Sequence, residues 1–455
     1  MTIQSFGVAV LTALLMLISP AGAADPAVKC ESGKLKEASK YGACRMKADA
    51  KAVTKGGSPD YAKCEGKFAD KWNKIETTAG PGVCPSEGDA TSMDSRITID
   101  TLEIADLLAG GAVIPTGPTP PAPAAACAEP PSPLSTAIEA GLNSAQTVAD
   151  DRRDDLLDPT VITVVMCGTG TPIPSDRAQA CTAVFANGKF LLFDAGDGSQ
   201  RSMESLNLPM VDLTAVFLTH FHSDHIADLG EVISRSWIGG RTSTVPVYGG
   251  EEVERVVDGF NLIYGPDEAY RTAHHGEALF PPGTFPAQSN EIVGADENGV
   301  VVFSEDGVTV TAYGVDHSPV EPALGYRVEF AGKSVVISGD TIDTPGLQNA
   351  SAGADVLVSE VMNKSVVEET ECALGRLGNA RNETIFKDIR SYHIDVAELG
   401  NLAEAAGVGT LVLTHQVPSL TGSLVETFFT TPVSAVYSGT LVVAVDGDEV
   451  TIPIP

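Results

Sequence analysis

Six consecutive residues, His220-Phe221-His222-Ser223-Asp224-His225, put four potential metal ligands into the pattern H-x-H-x-D-H. Imidazole and carboxylate are good donors to zinc and similar divalent ions. The hexad directly follows the apolar run Ala215-Val216-Phe217-Leu218, which reads as a buried strand. A loop leaving such a strand can aim His220 and His222 at one ion, and Asp224 and His225 at a second one close by. Two ions about 4 Å apart lower the pKa of a shared water, polarise a substrate oxygen and stabilise an in-line displacement. The spacing therefore suits two-metal hydrolysis, with Asp224 also placed to accept a proton from the water.

Three further candidates each close an apolar strand-like run. His317 follows Val310–Asp316, Asp340 follows Val335–Gly339, and His415 follows Leu411–Thr414. With the hexad, and in this order, they resemble the metallo-β-lactamase superfamily over about residues 160–455. The resemblance implies His220, His222 and His317 on one metal, and Asp224, His225 and His415 on the other. It implies Asp340 between them, a carboxylate having two oxygens to share. Two zinc ions suit this imidazole-rich set, while manganese or iron stay open. The fold it implies is α/β, a four-layer αββα sandwich with the site at one edge.

His393, in Ser391-Tyr392-His393-Ile394-Asp395, narrows the resemblance to the ribonuclease Z, phosphodiesterase and zinc arylsulfatase branch. There the matching histidine protonates the leaving oxygen, and Glu360 matches a carboxylate that orients it. An acid of near-neutral pKa held by a carboxylate is sensible chemistry for that task. The opening motif Gly168-Thr169-Gly170-Thr171-Pro172 resembles the same branch. The expectation is an exported dinuclear hydrolase of small phosphodiesters or aryl sulfate esters, with Asp224, His393 and Glu360 as its catalytic set. Opening of a carbonyl ring, as in lactonases and β-lactamases, is the enzymatic alternative. A non-catalytic metal-binding scaffold is the other.

Several features set the chain apart from tRNA processing, and no tRNA partner is expected. Bacterial ribonuclease Z carries a protruding tRNA arm between the positions matching His317 and Asp340, an interval of only 23 residues here. The net charge is −31, and residues 101–455 hold 16 Lys+Arg against 48 Asp+Glu. Such a surface repels polyanions and lacks the basic stripe of a nucleic-acid binder. A glycine of the family pattern is Asp228 here, and Ser359 stands where the branch often has histidine. A longer insertion between His225 and His317 carries Tyr264, Tyr270, Arg271, His274 and His275, which read either as a pocket lining that meets an anion or as a surface loop.

Residues 1–23 are uncharged, with an apolar run over 6–18 and Ala21-Gly22-Ala23 before the expected cleavage point. They read as a secretory signal, without the usual basic start, and direct the chain to a periplasmic or secreted location. No later segment is long and apolar enough to span a membrane. Residues 24–100 form a Lys/Ala-rich, Cys-containing segment with helices expected over about 29–53 and 60–78 and a break at Gly56-Gly57-Ser58-Pro59. Residues beside the turn of an antiparallel hairpin meet, as do those at its open end, so Cys44–Cys64 and Cys30–Cys84 are the expected pairs. The partner of this hairpin is unknown, and Cys127, Cys167, Cys181 and Cys372 are unassigned. Residues 101–158 are a Pro/Ala-rich linker with a helix over 134–157, and 159–455 form the catalytic domain. Within it, strands are expected at 161–166, 190–193, 308–313, 325–330, 335–338, 356–359 and 411–414, and a helix at 396–406 ahead of Gly407.

Overall fold

The structure, a computed structural model, describes residues 26–55, 60–79, 84, 133–173, 175–418 and 423–455. The expected signal segment, the 56–59 break, the Pro/Ala-rich linker ahead of Pro133 and Cys127 lie outside the described residues. The chain divides into two compact units, Met1–Thr116 and Gly117–Pro455.

In the first unit, helices α1 (Pro26–Lys55) and α2 (Ala62–Ala79) form an antiparallel hairpin. Each presents one apolar stripe, and Tyr41, Phe68 and Trp72 pack into the small core between them. Disulfides join Cys44 to Cys64 and Cys30 to Cys84, as expected from the hairpin's two ends. Cross-links limit the unfolded chain where a core this small stabilises little.

The second unit opens with α3 (Pro133–Leu156), held by Arg153 on Asp212 at 2.6 Å and by burial of Leu156. Two seven-stranded sheets follow. The first contains β1 (Val161–Gly168), β2 (Cys181–Ala186), β3 (Lys189–Phe193), β4 (Leu213–Phe217), β5 (Val245–Gly249) and β6 (Ala287–Glu291). The second contains β7 (Val300–Glu305), β8 (Val308–His317), β9 (Val320–Phe330), β10 (Lys333–Ile337), β11 (Val356–Met362), β12 (Thr410–Val417) and β13 (Thr440–Val443). The last strand, β14 (Glu449–Pro453), returns to the first sheet and pairs with β1.

Alternation along the strands builds the layers. On β1, Ile162, Val164 and Met166 point between the sheets, whereas Val165 and Cys167 join the outer core of the first sheet. On β12, Val412 points inward while Leu411 and Leu413 meet the helices outside the second sheet. Those outer helices are α4 (Ser199–Ser205), α6 (Leu229–Ile238) and α7 (Val253–His275) on the first sheet. On the second they are α8 (Pro345–Ser351), α11 (Val396–Ala406) and α12 (Ser423–Ser434). The short α5 (Ser223–Ile226) carries half of the hexad. Helices α9 (Lys364–Arg376) and α10 (Ala380–Ile389) form a pair between Glu360 and His393. The result is the expected four-layer αββα sandwich.

Two placements differ from or add to expectation. The stretch 264–276 is neither a loop nor part of the cavity beside the hexad, because it continues α7 to His275. Arg271 is taken up by Asp267 at 2.7 Å, one helical turn away. Cys167 and Cys181 form a third disulfide between neighbouring strands, where the β1–β2 register shifts at Gly168. Among the described residues no helix is long and apolar enough to cross a membrane.

Candidate metal centre

The site lies where strands from both sheets end. His220 and His222 sit on the loop leaving β4, and Asp224 and His225 on α5. His317 ends β8, Asp340 follows β10, and His415 lies within β12. One backbone and one side-chain hydrogen bond hold the loop between the sheets: Leu324 N–H donates to Thr219 O (2.9 Å), and Tyr326 Oη donates to Leu218 O (2.6 Å). Two glycines make the close approaches. A Cβ on Gly196 would lie 2.0 Å from Asp224 O. Gly339 has φ +62° and would meet Leu324 O at 2.5 Å. His415 itself is left-handed, with φ 42°, a costly conformation held in place by its surroundings.

Of the chain's 8 histidines, 6 converge here; His274 and His275 stay apart. His220, His222 and His317 form one group of donor atoms within 4.8 Å of one another, and Asp224, His225 and His415 form a second. Asp340 lies between the groups, its Oδ2 3.4 Å from His225 Nε2 and 3.8 Å from His317 Nε2. Other close donor pairs lie 2.9 Å apart (His220 Nε2 and His222 Nδ1), 3.1 Å apart (His415 Nε2 and Asp224 Oδ2) and 3.6 Å apart (His225 Nε2 and Asp224 Oδ2). A tetrahedron with bonds of about 2.1 Å has edges of roughly 3.4 Å.

The donor set and its environment fit divalent metal. Among the described residues, buried His225 Nε2 and His415 Nδ1 have no hydrogen-bond partner, a costly state that a metal bond relieves. Burial, then the charge of His225, holds His220 well below its ordinary pKa, and burial lowers His222 and His317. Burial acts to raise Asp340, but His415 and His225 outweigh it and keep it well below the carboxylate range. Asp224 is likewise lowered, its hydrogen bond from His415 prevailing over burial. Neutral imidazoles beside ionised carboxylates are the protonation state that metal ligation needs. His225 differs: burial would lower it, yet Asp340 and Asp194 push it well up, so a metal must displace its proton.

Beside the cluster, Glu360 accepts backbone N–H bonds from Thr341 (3.2 Å) and Ile394 (3.1 Å) through Oε1. Its Oε2 lies 3.1 Å from His393 Nδ1, but off hydrogen-bond alignment, so the contact is chiefly electrostatic. Burial opposes the charge on His393, but Glu360 overcomes it and, with Asp340, the imidazole is pushed up to about 9. With Nδ1 on Glu360, the other ring nitrogen is the one left for a substrate.

The Beta-lactamase superfamily domain pattern matches residues 190–416. Ribonuclease Z of Mycobacterium marinum is 38% identical over 264 residues, which cover 57% of this chain and 88% of that protein. Ribonuclease Z of Mycobacterium bovis is 37% identical with the same coverage. The chain belongs to the metallo-β-lactamase superfamily. Within it the chain stands near ribonuclease Z and is a metal-dependent hydrolase. Among solved structures, the short form of human tRNase Z is 20% identical, with a TM-score of 0.46, covering 64% of this chain and 99% of that one.

The hydrolase also uses residues to which the sequence reading gave no role. Asp194 Oδ2 accepts from His225 Nδ1 (2.7 Å) and Thr219 Oγ1 (2.8 Å), while Oδ1 accepts from Thr219 N–H (2.8 Å). That fixes which nitrogen of His225 faces the cluster. The Tyr392 carbonyl does the same for His317, accepting from Nδ1 at 2.9 Å. Asp446 accepts from Thr169 N–H and Ala178 N–H and braces the Gly168–Pro172 motif. The two departures stay outside the donor set: Asp228 takes the Gln200 N–H and starts α6, and Ser359 Oγ bonds Glu360 O. Over the cluster opens a cavity of about 390 Å³, floored by His222, Asp224, His317, Asp340, His393 and His415. Ile385, Phe386 and Ile389 of α10 form an apolar wall, with Asn382 beside them.

Proposed function

We propose that the chain is an exported hydrolase of small phosphodiesters or aryl sulfate esters that works with two zinc ions. One observation carries this reading. His393, backed by buried Glu360 at 3.1 Å, stands at the floor of a cavity whose wall is apolar and whose lining, among the described residues, contains no Lys or Arg. A proton donor suits a leaving oxygen that departs poorly. An apolar wall suits the carbon skeleton of an aryl or similarly small leaving group.

His220, His222 and His317 would hold one ion, Asp224, His225 and His415 the other, and Asp340 would serve both. Bound there, the ions would supply Lewis acidity toward the ester oxygens and an acidified water as nucleophile. The chain's own residues do the rest. Ile385, Phe386 and Ile389 seat the leaving group and exclude water from it. Asp224 accepts the proton of the attacking water. His393 hands its proton to the departing oxygen, and Glu360, anchored by two backbone N–H groups, keeps the imidazole turned toward it.

The reading departs from the activity in the relatives' names. The interval from His317 to Asp340 is taken up by β9 and β10, both inside the second sheet. A net charge of −31 also disfavours a polyanionic substrate. Export is supported by disulfides in both units, which persist in oxidising compartments. The test is purified protein, with and without chelator, on bis-p-nitrophenyl phosphate, p-nitrophenyl sulfate, a homoserine lactone, nitrocefin and a precursor tRNA. Chelator-sensitive turnover of either of the first two is expected. Turnover confined to the lactone and nitrocefin, or to the tRNA, would overturn the substrate class.

A further inference from the structure

We propose that the lysine-rich face of the N-terminal hairpin is a docking surface for an anionic lipid bilayer. On α1, Lys29, Lys36, Lys40, Lys47 and Lys51 recur at steps of 7, 4, 7 and 4 residues, and all are exposed. Such steps confine them to one narrow stripe of a helix. On α2, Lys63, Lys67, Lys71 and Lys74 recur at steps of 4, 4 and 3, again exposed and on one stripe.

Helical periodicity places both stripes on the same side of the hairpin. The buried stripe of α1 runs through Cys30, Tyr41 and Arg45, and that of α2 through Cys64, Phe68 and Trp72. Each lysine row lies roughly 110° around its helix from the buried stripe, in the same rotational sense from N- to C-terminus. The helices are antiparallel, with Cys44 on Cys64 near one end and Lys34 on Glu76 (2.6 Å) near the other. Equal offsets of one hand on antiparallel helices fall on one face. The two rows thus make a single basic face, about 33 Å long on α1 at 1.5 Å per residue.

Among the described residues, the hairpin's carboxylates do little to neutralise it, and Asp60 beside the turn accepts from Ala62 N–H at 3.1 Å. Glu76 holds Lys34, and Glu65 lies 3.3 Å from Arg45. Glu37 pairs with Lys40, and helical periodicity puts Asp70 at the outer edge of the α2 row. Among the described residues, the other eight lysines of the face make no ion pair.

Charge complementarity calls for an extended anion, and the chemistry of the face favours a lipid surface. Its cations are lysines, mobile point charges without the planar fork that reads individual phosphates. Among the described residues of the hairpin, Tyr41, Phe68 and Trp72 are buried in its core and half-buried Tyr61 is covered by the Arg45 guanidinium (3.8 Å to the ring centre), which leaves the lysine face without a stacking platform for nucleic-acid bases. A broad face with two rows of lysines suits a layer of headgroups. The opposite balance of residues 133–455, 16 Lys+Arg against 45 Asp+Glu, leaves contact with such a layer to the hairpin.

The experiment is co-sedimentation of the whole chain from residue 24 onward with phosphatidylglycerol-containing vesicles and with pure phosphatidylcholine vesicles, at low and high salt. Binding to the first alone, lost at high salt, is expected. Neutralising one lysine should weaken partition about fivefold, so Lys36→Gln, Lys47→Gln and Lys67→Gln together should cost about 100-fold. The triple variant should keep its disulfides and its turnover of soluble substrate. Absence of vesicle binding at low salt, equal binding to neutral vesicles, or capture of soluble polyphosphate without vesicle binding would each overturn the proposal.

Discussion

Asp194→Asn tests whether the centre depends on a residue that touches no metal. Asp194 receives three hydrogen bonds, at 2.7, 2.8 and 2.8 Å, from His225 Nδ1, Thr219 Oγ1 and Thr219 N–H. Asparagine is isosteric and can keep the backbone bond through its oxygen. Its amide NH₂ then faces His225 Nδ1, which must become an acceptor, and the imidazole proton moves to Nε2. That is the nitrogen turned toward Asp224 and Asp340. The variant therefore loses a charge-assisted hydrogen bond, about 1.5–3 kcal/mol, and blocks a ligand atom with a proton. Removing an outer partner of a ligating histidine typically lowers metal affinity about 10–100-fold, or about 1.4–2.8 kcal/mol. The assay is zinc titration of metal-free protein against a chromophoric chelator, with melting of the metal-free variant as the control for folding. The loss should fall mainly on the Asp224, His225 and His415 group. A smaller loss at the other is expected, because Thr219 Oγ1 also touches His220 Nδ1 at 3.1 Å. Unchanged affinity, or a loss confined to the His220 group, would refute the orienting role.

Asp340→Ala removes the carboxylate within 3.8 Å of both histidine groups, so elemental analysis should find metal depleted at both positions. Full metal content would exclude a shared ligand. His393→Ala should leave metal bound and slow esters with poor leaving groups about 10²–10⁴-fold, while good leaving groups suffer little. Equal losses for both would argue against proton donation. Glu360→Gln should move the alkaline limb of the rate profile to lower pH. The acid works only while protonated, so its contribution is present below the His393 pKa and lost above it. Glu360 is what pushes that pKa up to about 9 against burial. A limb at the wild-type pH would remove Glu360 from the role.

What the sequence disclosed followed from how local each signal is. The hexad is one loop, and four donors in six residues need no fold to be seen. His317, Asp340 and His415 were legible because each closes an apolar run, and strand ends are where a layered sandwich gathers its chemistry. Asp194 also closes a strand, yet Asp-Ala-Gly reads as an ordinary turn. Its importance arises only when 31 residues later His225 is folded against it. Cys167 and Cys181 needed the β1–β2 register, which composition does not supply. Ile385, Phe386 and Ile389 carry the spacing of a helix face that packs on a core, and periodicity cannot tell a core from a cavity wall.

The stretch 264–276 shows tertiary packing overriding a local signal. Gly265-Pro266 reads as a turn, since proline inside a helix costs about 3 kcal/mol or more. The helix continues because Tyr264 seats against α6 at Gly230, where a Cβ would come within 2.3 Å of Tyr264 Cε2. The Tyr264 hydroxyl then donates to Glu231 at 2.9 Å, and Phe260 packs on the same core. A glycine on one helix and a tyrosine 34 residues away on another decide the conformation of the segment between His225 and His317. That pairing, more than the composition of the segment, keeps Arg271, His274 and His275 on α7 and out of the cavity over the metal ligands.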